Sequence, residues 1–168
     1  MITLFKHETH DEYFDRQKEK IRLQIRTLSK EDFELAGMAA LADNLAEKYR
    51  IRELEADITV PAQKATNGKE EKEIYAIPVK GNLELLFVKP SFQEEKTFAE
   101  QLDKENSVLI MALDKHSAYD AAQRQALMEN VKQINQDVND FNASLFDYVE
   151  EQLQKQLLFL KALERGGV

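Results

Sequence analysis

The sequence contains no cysteine, which excludes disulfide bonds, thiolate metal sites and a cysteine nucleophile. It has only five glycines among 168 residues, and two of them, Gly166 and Gly167, stand just before the last residue, Val168. Phosphate-cradling loops and dinucleotide fingerprints are built from clustered glycines, so neither motif is present. A nucleotide-dependent enzyme is therefore not expected, and no cofactor is predicted.

The chain also lacks long apolar runs and an excess of basic residues. No stretch approaches the ~20 apolar residues of a membrane-spanning helix, and the opening residues 1–8 have too short an apolar core for a signal peptide. Lys and Arg total 23 against 31 Asp and Glu, a net charge of -8 that disfavours binding to nucleic-acid phosphates. We expect a soluble, cytoplasmic protein that binds neither nucleic acid nor a membrane.

Hydrophobic residues make up 43% of the 168, which is enough to build the core of one compact domain. We expect this single domain, 1–168, to have three consecutive parts: a helical part over 1–50, a sheet over 53–114 and a helical arm over 117–165. The strand-like segments cluster between helical segments and do not alternate with them. This order predicts an α+β fold with a small antiparallel sheet of about four or five strands.

Two helices are predicted before the sheet. Thr9 with Glu12 forms a capping box for a first helix over about 10–28. Ser29 repeats the capping signal for a second helix over about 30–50.

Five stretches in the middle of the chain show strand-like apolar patterns: 54–60, 74–79, 83–88, 97–102 and 108–113. The third of them is apolar on both faces, which predicts a central strand. Residues 62–72 are rich in charge and contain Gly68, so this segment is predicted to be a solvated loop.

The dominant feature is the helical arm from Ser117 to Arg165, whose apolar residues are spaced by threes and fours. Ser117 is placed to cap its start. Four weak helix formers interrupt the middle of the arm and compete for the backbone: Asn135, Asn139, Asp140 and Asn142. The pattern therefore favours a helical hairpin over the alternative of one helix of about 48 residues, roughly 70 Å long.

Several short motifs resemble those of a known family. The run from Ile77 to Phe87, followed by Pro90-Ser91, resembles a family of small uncharacterised bacterial proteins in which a proline-and-glycine turn precedes a Leu-Phe strand and a Pro-Ser step. The Glu12-Tyr13-Phe14 start and the Phe141-Asn142 step are similar to that family in the same order. The resemblance implies an accessory component encoded in bacterial gene clusters, including defence-type clusters, without catalytic residues.

The N-terminal histidines form the one cluster with metal-like composition. His7 and His10 lie beside Glu8 and Asp11, and imidazole and carboxylate groups can supply nitrogen and oxygen ligands to a metal ion. The two histidines lack the i, i+4 spacing that places a pair on one helical face. An ordinary exposed helix start is therefore favoured, and no metal site is predicted.

His116 marks a second polar group, at the predicted junction of strand and helix. With Asp114 and Ser117 it supplies an acid, a base and a hydroxyl group. Neighbours in sequence rarely meet the geometry of a catalytic triad, and Ser117 is better explained as a helix cap. No catalytic residue is predicted.

The end of the arm is more apolar than one helix face requires, through Leu157, Leu158, Phe159, Leu160 and Leu163. Successive helical residues turn by about 100°, so these side chains cannot all share one narrow face. The domain's own core is the favoured place for most of this run, because a terminal helix commonly closes a small domain. The remainder would form the apolar centre of an interface.

The leading functional hypothesis is a non-enzymatic interaction or accessory protein that assembles with itself or with a protein partner through the arm. Two alternatives stay open: a small metal-dependent hydrolase that uses the N-terminal His cluster, and a small-ligand sensor with a pocket between sheet and arm. An enzyme is the less favoured class, because no catalytic motif is present.

Overall fold

The computed structural model describes residues 1–67, 70–93, 96–114 and 118–166. The chain divides into two compact units, one formed by Met1–His10 with Arg52–Val138, the other by Asp11–Ile51 with Asn139–Val168. The α+β class is confirmed. The assignment of all 168 residues to a single domain stays a prediction.

The described residues of the first unit form nine strands, β1 to β9 in chain order: Ile2–Leu4, Glu8–Thr9, Leu54–Ala56, Gln63–Asn67, Glu70–Gly81, Val88–Lys89, Thr97–Ala99, Gln101–Asp103 and Val108–Asp114. The main sheet has five strands, with the order β3-β5-β9-β8 and β4 also paired with β5. All pairings in this sheet are antiparallel, as predicted. Two further pairs stand apart from it, β1 with β7 and β2 with β6.

The long strand β5 organises the sheet, because it pairs with β9 along one edge and with β4 and β3 along the other. Ile77 and Val79 of β5 are fully buried, as is Leu109 of β9. Gly81 ends β5 with a φ of 84°, and a Cβ at this position would lie 1.8 Å from the Glu53 carbonyl oxygen. Only glycine therefore permits β3 to approach β5 this closely.

The central strand predicted over 83–88 is wrong, since Leu83–Phe87 forms a 3-10 helix and only Val88 enters a strand. The Asn82 side chain accepts a hydrogen bond from the Glu84 N–H and so caps a helical turn. Leu85 and Leu86 are both fully buried. The pattern correctly indicated the burial of Leu85 and Leu86, but a short apolar run does not distinguish a strand from a buried helical turn.

Other strand boundaries also differ from the prediction. The strand expected over 54–60 ends at Ala56, because the Asp57 carboxylate accepts hydrogen bonds from the N–H and hydroxyl of Thr59 and forms a turn. The loop expected over 62–72 instead contains β4 and the start of β5, paired as a hairpin. Backbone pairing with β5 decides the conformation of this charged segment, whose side chains show no apolar period.

In the part of the second unit that the structure describes, three helices, α1 (His10–Arg26), α2 (Lys30–Ala36) and α3 (Met38–Tyr49), are joined by part of a fourth, α4 (Ala118–Gly166). The second helix predicted over 30–50 is interrupted, because Gly37 has a φ of 80° and separates α2 from α3. The capping box at Ser29 is confirmed, with the Asp32 side chain bonded to the Ser29 N–H.

The hairpin predicted for the arm is wrong, because α4 is a single helix of 49 residues. Asn135 and Asn142 do not compete for their own backbone, since their carboxamides bond the backbone of Leu54 and Ile51. Ser117 and His116 lie outside the described residues. None of the described helices is both long and apolar enough to cross a membrane.

The apolar stripe predicted for α4 is buried through its middle part. Its buried members are Leu127, Ile134, Val138, Phe141, Leu145, Val149 and Leu153. Spacings of three and four keep them on one face, so a helix of this length buries one continuous stripe.

Candidate interaction surface

The exposure of α4 changes abruptly after Leu153. Leu153 is fully buried, whereas Leu158 is 67% exposed, Phe159 57% and Leu163 54%. Leu157 and Leu160 are half-buried. The expectation that most of this run lies in the domain's own core is therefore wrong for Leu158, Phe159 and Leu163, which we call the distal surface.

The cause of this change lies in where α1 ends. Within the second unit α1 runs parallel to α4, since Phe14 stacks on Phe141 with ring centroids 4.9 Å apart and the Tyr148 hydroxyl donates to the Lys18 carbonyl at 3.3 Å. The last turn of α1 then meets Gln156, whose carboxamide donates to the carbonyls of Arg26 at 3.4 Å and Leu28 at 3.1 Å.

Gln156 therefore satisfies carbonyls that the end of a helix leaves without partners. The Gln156 side chain is buried, so losing these hydrogen bonds would leave its amide without partners. Past the end of α1 the side chains of Leu158, Phe159 and Leu163 remain exposed to solvent, although Phe159 still lies beside the last turn of α1.

A groove opens between α1 and α4 next to the distal surface. It has a volume of about 440 Å³ and is lined by residues of both helices, including Arg22, Ile25, Arg26, Lys155, Gln156 and Phe159. We call it the basic groove. Ile25 is buried and supplies an apolar floor, while the three cations stand exposed around it in a chain whose net charge is -8.

The cations of the basic groove form only weak ion pairs with neighbouring side chains. Arg22 pairs with Glu19, and Lys155 pairs with Glu151 at 2.8 Å, which holds the pKa of the Glu151 carboxyl below its ordinary value. Arg26 takes part in none of the ion pairs found among the described residues. Exposed pairs of this kind contribute about 0–1 kcal/mol, so an incoming carboxylate can compete for these cations.

The helix α2 presents a second exposed apolar residue in the same unit. Leu35 is 87% exposed, whereas Phe33, two positions earlier, is buried. Lys30 at the start of α2 bonds Glu164 of α4 at 2.5 Å, and this hydrogen bond raises the pKa of Lys30. The bond places the start of α2 beside the last turns of α4, close in sequence to Leu163, but both side chains are about half exposed, so the pair adds little to stability.

The structure places the N-terminal histidines on either side of β2. The His7 ring meets Phe87 edge to face at 5.6 Å, and the His7 N–H donates to the Phe87 carbonyl at 2.9 Å. His10 begins α1 on the other side of β2. Within the described ranges, no three His, Asp or Glu side chains lie together as a metal ion would need.

The first unit contains a groove beside α4, of about 320 Å³, lined by Phe92 and by mostly polar residues of α4 such as Gln133. The preceding Ser91 is held by Asp137, which accepts hydrogen bonds from its N–H at 2.8 Å and its hydroxyl at 2.6 Å. No residue of the main sheet is among those that line this groove. The pocket expected between sheet and arm for a ligand sensor therefore stays a prediction.

Four residues of these surfaces were not predicted from the sequence: Arg22, Arg26, Lys155 and Leu35. The cations belong to a charged helix pattern that is typical of any solvated face. The available signal for Leu35 was its place two residues after Phe33, which puts the two side chains about 200° apart on a helix.

No family model matches the chain, and neither the curated proteins nor the solved structures contain one that is similar to it. The likeness to small bacterial proteins over residues 77–91 stays a prediction.

Proposed function

We propose that this protein is a non-enzymatic interaction protein that assembles with itself or with a protein partner through the distal surface. The observation that carries the proposal is the 54–67% exposure of Leu158, Phe159 and Leu163 directly after a fully buried stripe. Burying a leucine or phenylalanine side chain contributes roughly 1.5–3 kcal/mol, and such residues form the centres of protein interfaces.

The rigidity of α4 supports the same role. The distal surface belongs to the uninterrupted helix Ala118–Gly166, and the buried Gln156 side chain bonds the carbonyl of Arg26 at the end of α1. A surface held in this way loses little conformational entropy when it binds. The helix therefore offers a prepared docking surface.

An accessory role within a gene cluster is the part of this proposal that rests on the motifs over 77–91. We expect the products of neighbouring genes to include the partner if assembly is heteromeric. Co-expression of those products with this chain, followed by co-purification, tests that part separately.

The decisive experiment compares two matched variants, Phe159→Asp and Phe92→Asp. Both phenylalanines are similarly exposed, 57% and 61%, but Phe92 belongs to the first unit. We expect Phe159→Asp to weaken self-association or partner binding at least about tenfold, as loss of an interface anchor does, and Phe92→Asp to leave it unchanged. Sedimentation velocity and co-purification measure the binding, and circular dichroism checks the helix content.

Two results would overturn the proposal. One is a wild-type chain that stays monomeric at high concentration and binds no product of the neighbouring genes. The other is a Phe159→Asp chain that unfolds, since an exposed side chain at an interface does not support the fold of its own chain.

A further inference from the structure

We propose that the partner is a second copy of this chain, and that the basic groove of each copy receives α2 of the other, with Leu35 as the anchor. This inference rests on the proposed function and adds the identity of the partner. In this dimer Leu35 of one copy would contact Phe159 of the other, so a single contact accounts for the exposure of both side chains.

The orientation of α2 makes Leu35 available. Phe33 is buried and lies about 200° around the helix from Leu35, so anchoring the first directs the second to solvent. Among the described residues no other large hydrophobic side chain is as exposed as Leu35. A leucine held outward by the packing of its own helix is suited to fill an apolar site on another molecule.

The charges around Leu35 match those of the basic groove. Glu31 precedes Leu35 by one helical turn on the same face, and Glu34 adjoins it; both are exposed. On the groove side, Arg22 and Arg26 stand one turn apart along α1. Like Arg26, Glu31 takes part in none of the described ion pairs, so both groups can pair across an interface.

The apolar residues of the basic groove are suited to contact the side chain of Leu35. Ile25 is buried beneath the cations and Phe159 forms one wall, so a leucine side chain meets apolar surface on two sides. Carboxylates that flank the leucine then face Arg22, Arg26 and Lys155. This arrangement, an apolar anchor within a ring of charge pairs, is typical of specific protein interfaces.

The location of the two surfaces allows both contacts to form at once. The groove wall ends at Arg26 and α2 begins at Lys30, which bonds Glu164 near the end of α4. Groove and helix therefore lie at the same end of the second unit, and a two-fold axis there pairs each groove with the opposite α2. The double contact matters because α2, with seven residues, offers little area alone.

The test is a charge exchange between two variants. The groove variant carries Arg22→Glu and Arg26→Glu, and the helix variant carries Glu31→Lys and Glu34→Lys. Each homodimer then contains two repulsive contacts, so we expect each variant alone to dissociate at least about tenfold more readily than wild type.

An equimolar mixture of the two variants restores complementarity. In the mixed dimer the reversed groove meets the reversed helix, and the wild-type groove meets the wild-type helix. We expect a heterodimer of near wild-type stability, identified by native mass spectrometry from the different masses of its two chains. An acidic helix from another protein would be recognised by the groove without any such rescue.

A third variant, Leu35→Asp, removes the anchor without touching the groove, and Phe92→Asp again serves as its control. Leu35 is 87% exposed, so its replacement leaves the fold of the isolated chain intact, as thermal unfolding will verify. We expect Leu35→Asp to weaken the dimer at least about tenfold, and Phe92→Asp to leave it unchanged.

The outcomes separate this inference from the proposed function. If Phe159→Asp abolishes an assembly that Leu35→Asp and the helix variant leave intact, the interaction role stands and the pairing with α2 is wrong. Failure of the two charge variants to form a heterodimer also overturns the pairing. A wild-type chain that binds neither itself nor another protein overturns both proposals.

Discussion

The carboxamide of Asn135 forms two hydrogen bonds with the backbone of Leu54, accepting from its N–H at 2.8 Å and donating to its carbonyl at 2.8 Å. Leu54 begins the edge strand β3, and its neighbours Glu53 and Asp57 bond to the segment 78–82 on the inner side. The outer side of β3 would otherwise present free backbone groups. The Asn135 side chain thus forms the hydrogen bonds that a further strand beside β3 would otherwise form.

Asn142 forms the same pair of hydrogen bonds with a peptide backbone: its carboxamide accepts from the Ile51 N–H at 3.0 Å and donates to the Ile51 carbonyl at 2.8 Å. Asparagine carries one acceptor and two donors, so it can reproduce the pairing of a peptide unit. Both residues therefore act as partners for extended backbone and do not break the helix that carries them.

We predict that Asn135→Ala destabilises the protein by about 1–3 kcal/mol, because it leaves the N–H and carbonyl of Leu54 without partners in a partly buried place. Gln136→Ala, at the next and exposed position of α4, is the control and should change stability by no more than about 0.5 kcal/mol. Urea denaturation followed by circular dichroism measures both. Equal midpoints for the two variants would show that the Asn135 bonds contribute nothing.

The burial of Leu85 makes a second prediction about the core of the first unit. Leu85→Ala removes a fully buried side chain from the 3-10 helix and should destabilise by about 2–5 kcal/mol through the cavity that it leaves. Leu23→Ala, at an exposed position of α1, should have little effect. A melting temperature of Leu85→Ala equal to that of wild type would place this residue outside the core.

Two glycines with positive φ allow backbone strain to be separated from steric clash. Gly37→Ala should cost about 1–3 kcal/mol from strain alone, since no atom lies within 4 Å of the added Cβ. Gly81→Ala should cost at least about 1 kcal/mol more, because its Cβ meets the Glu53 carbonyl and β3 must move. Thermal unfolding of the two variants, with Gly166→Ala as an unstrained control, tests this order.

Three carboxyl groups, one in a helix cap and two in turns, are expected to make the stability of the protein depend on pH. Hydrogen bonds lower the pKa of Asp32, of Asp57 and of Asp103 through Ser29, Thr59 and Asn106 respectively. A carboxyl whose pKa is lower in the folded state stabilises that state above its unfolded pKa, and the contribution disappears as pH falls through the folded value.

We therefore expect the urea midpoint to fall between about pH 5 and about pH 2. Asp32→Asn retains an oxygen that accepts from Ser29 but does not titrate, so its midpoint should fall less steeply over this range. An identical pH profile for variant and wild type would count against a contribution from Asp32.

Much of the helical architecture could be predicted from the sequence. The capping signals at Thr9 and Ser29 placed the starts of α1 and α2, and the spacing of apolar residues identified the buried stripe of α4. The surplus of apolar residues near Phe159 left core and surface both open, and the sequence favoured the core for most of them. Periodicity and capping depend on residues a few positions apart, so these features are available without knowledge of the fold.

The candidate site was only partly predictable. The exposure of Leu35 follows from the packing of Phe33, and the basic groove exists because α1 runs beside α4 and ends at Gln156. Neither relationship is a local pattern. A charged residue such as Arg26 can be assigned to a binding groove only when the structure shows a second helix beside it and an apolar floor between them.

By itself, the sequence determined the α+β class, the helix starts and the apolar face of α4, because burial imposes a period on neighbouring residues. Tertiary structure alone decided that Asn135 and Asn142 continue the helix, since their bonding partners lie 81 and 91 residues away. It also decided that Leu83–Phe87 is helical and that Phe159 stays exposed. Short polar side chains and short apolar runs each suit several conformations, and distant contacts select one of them.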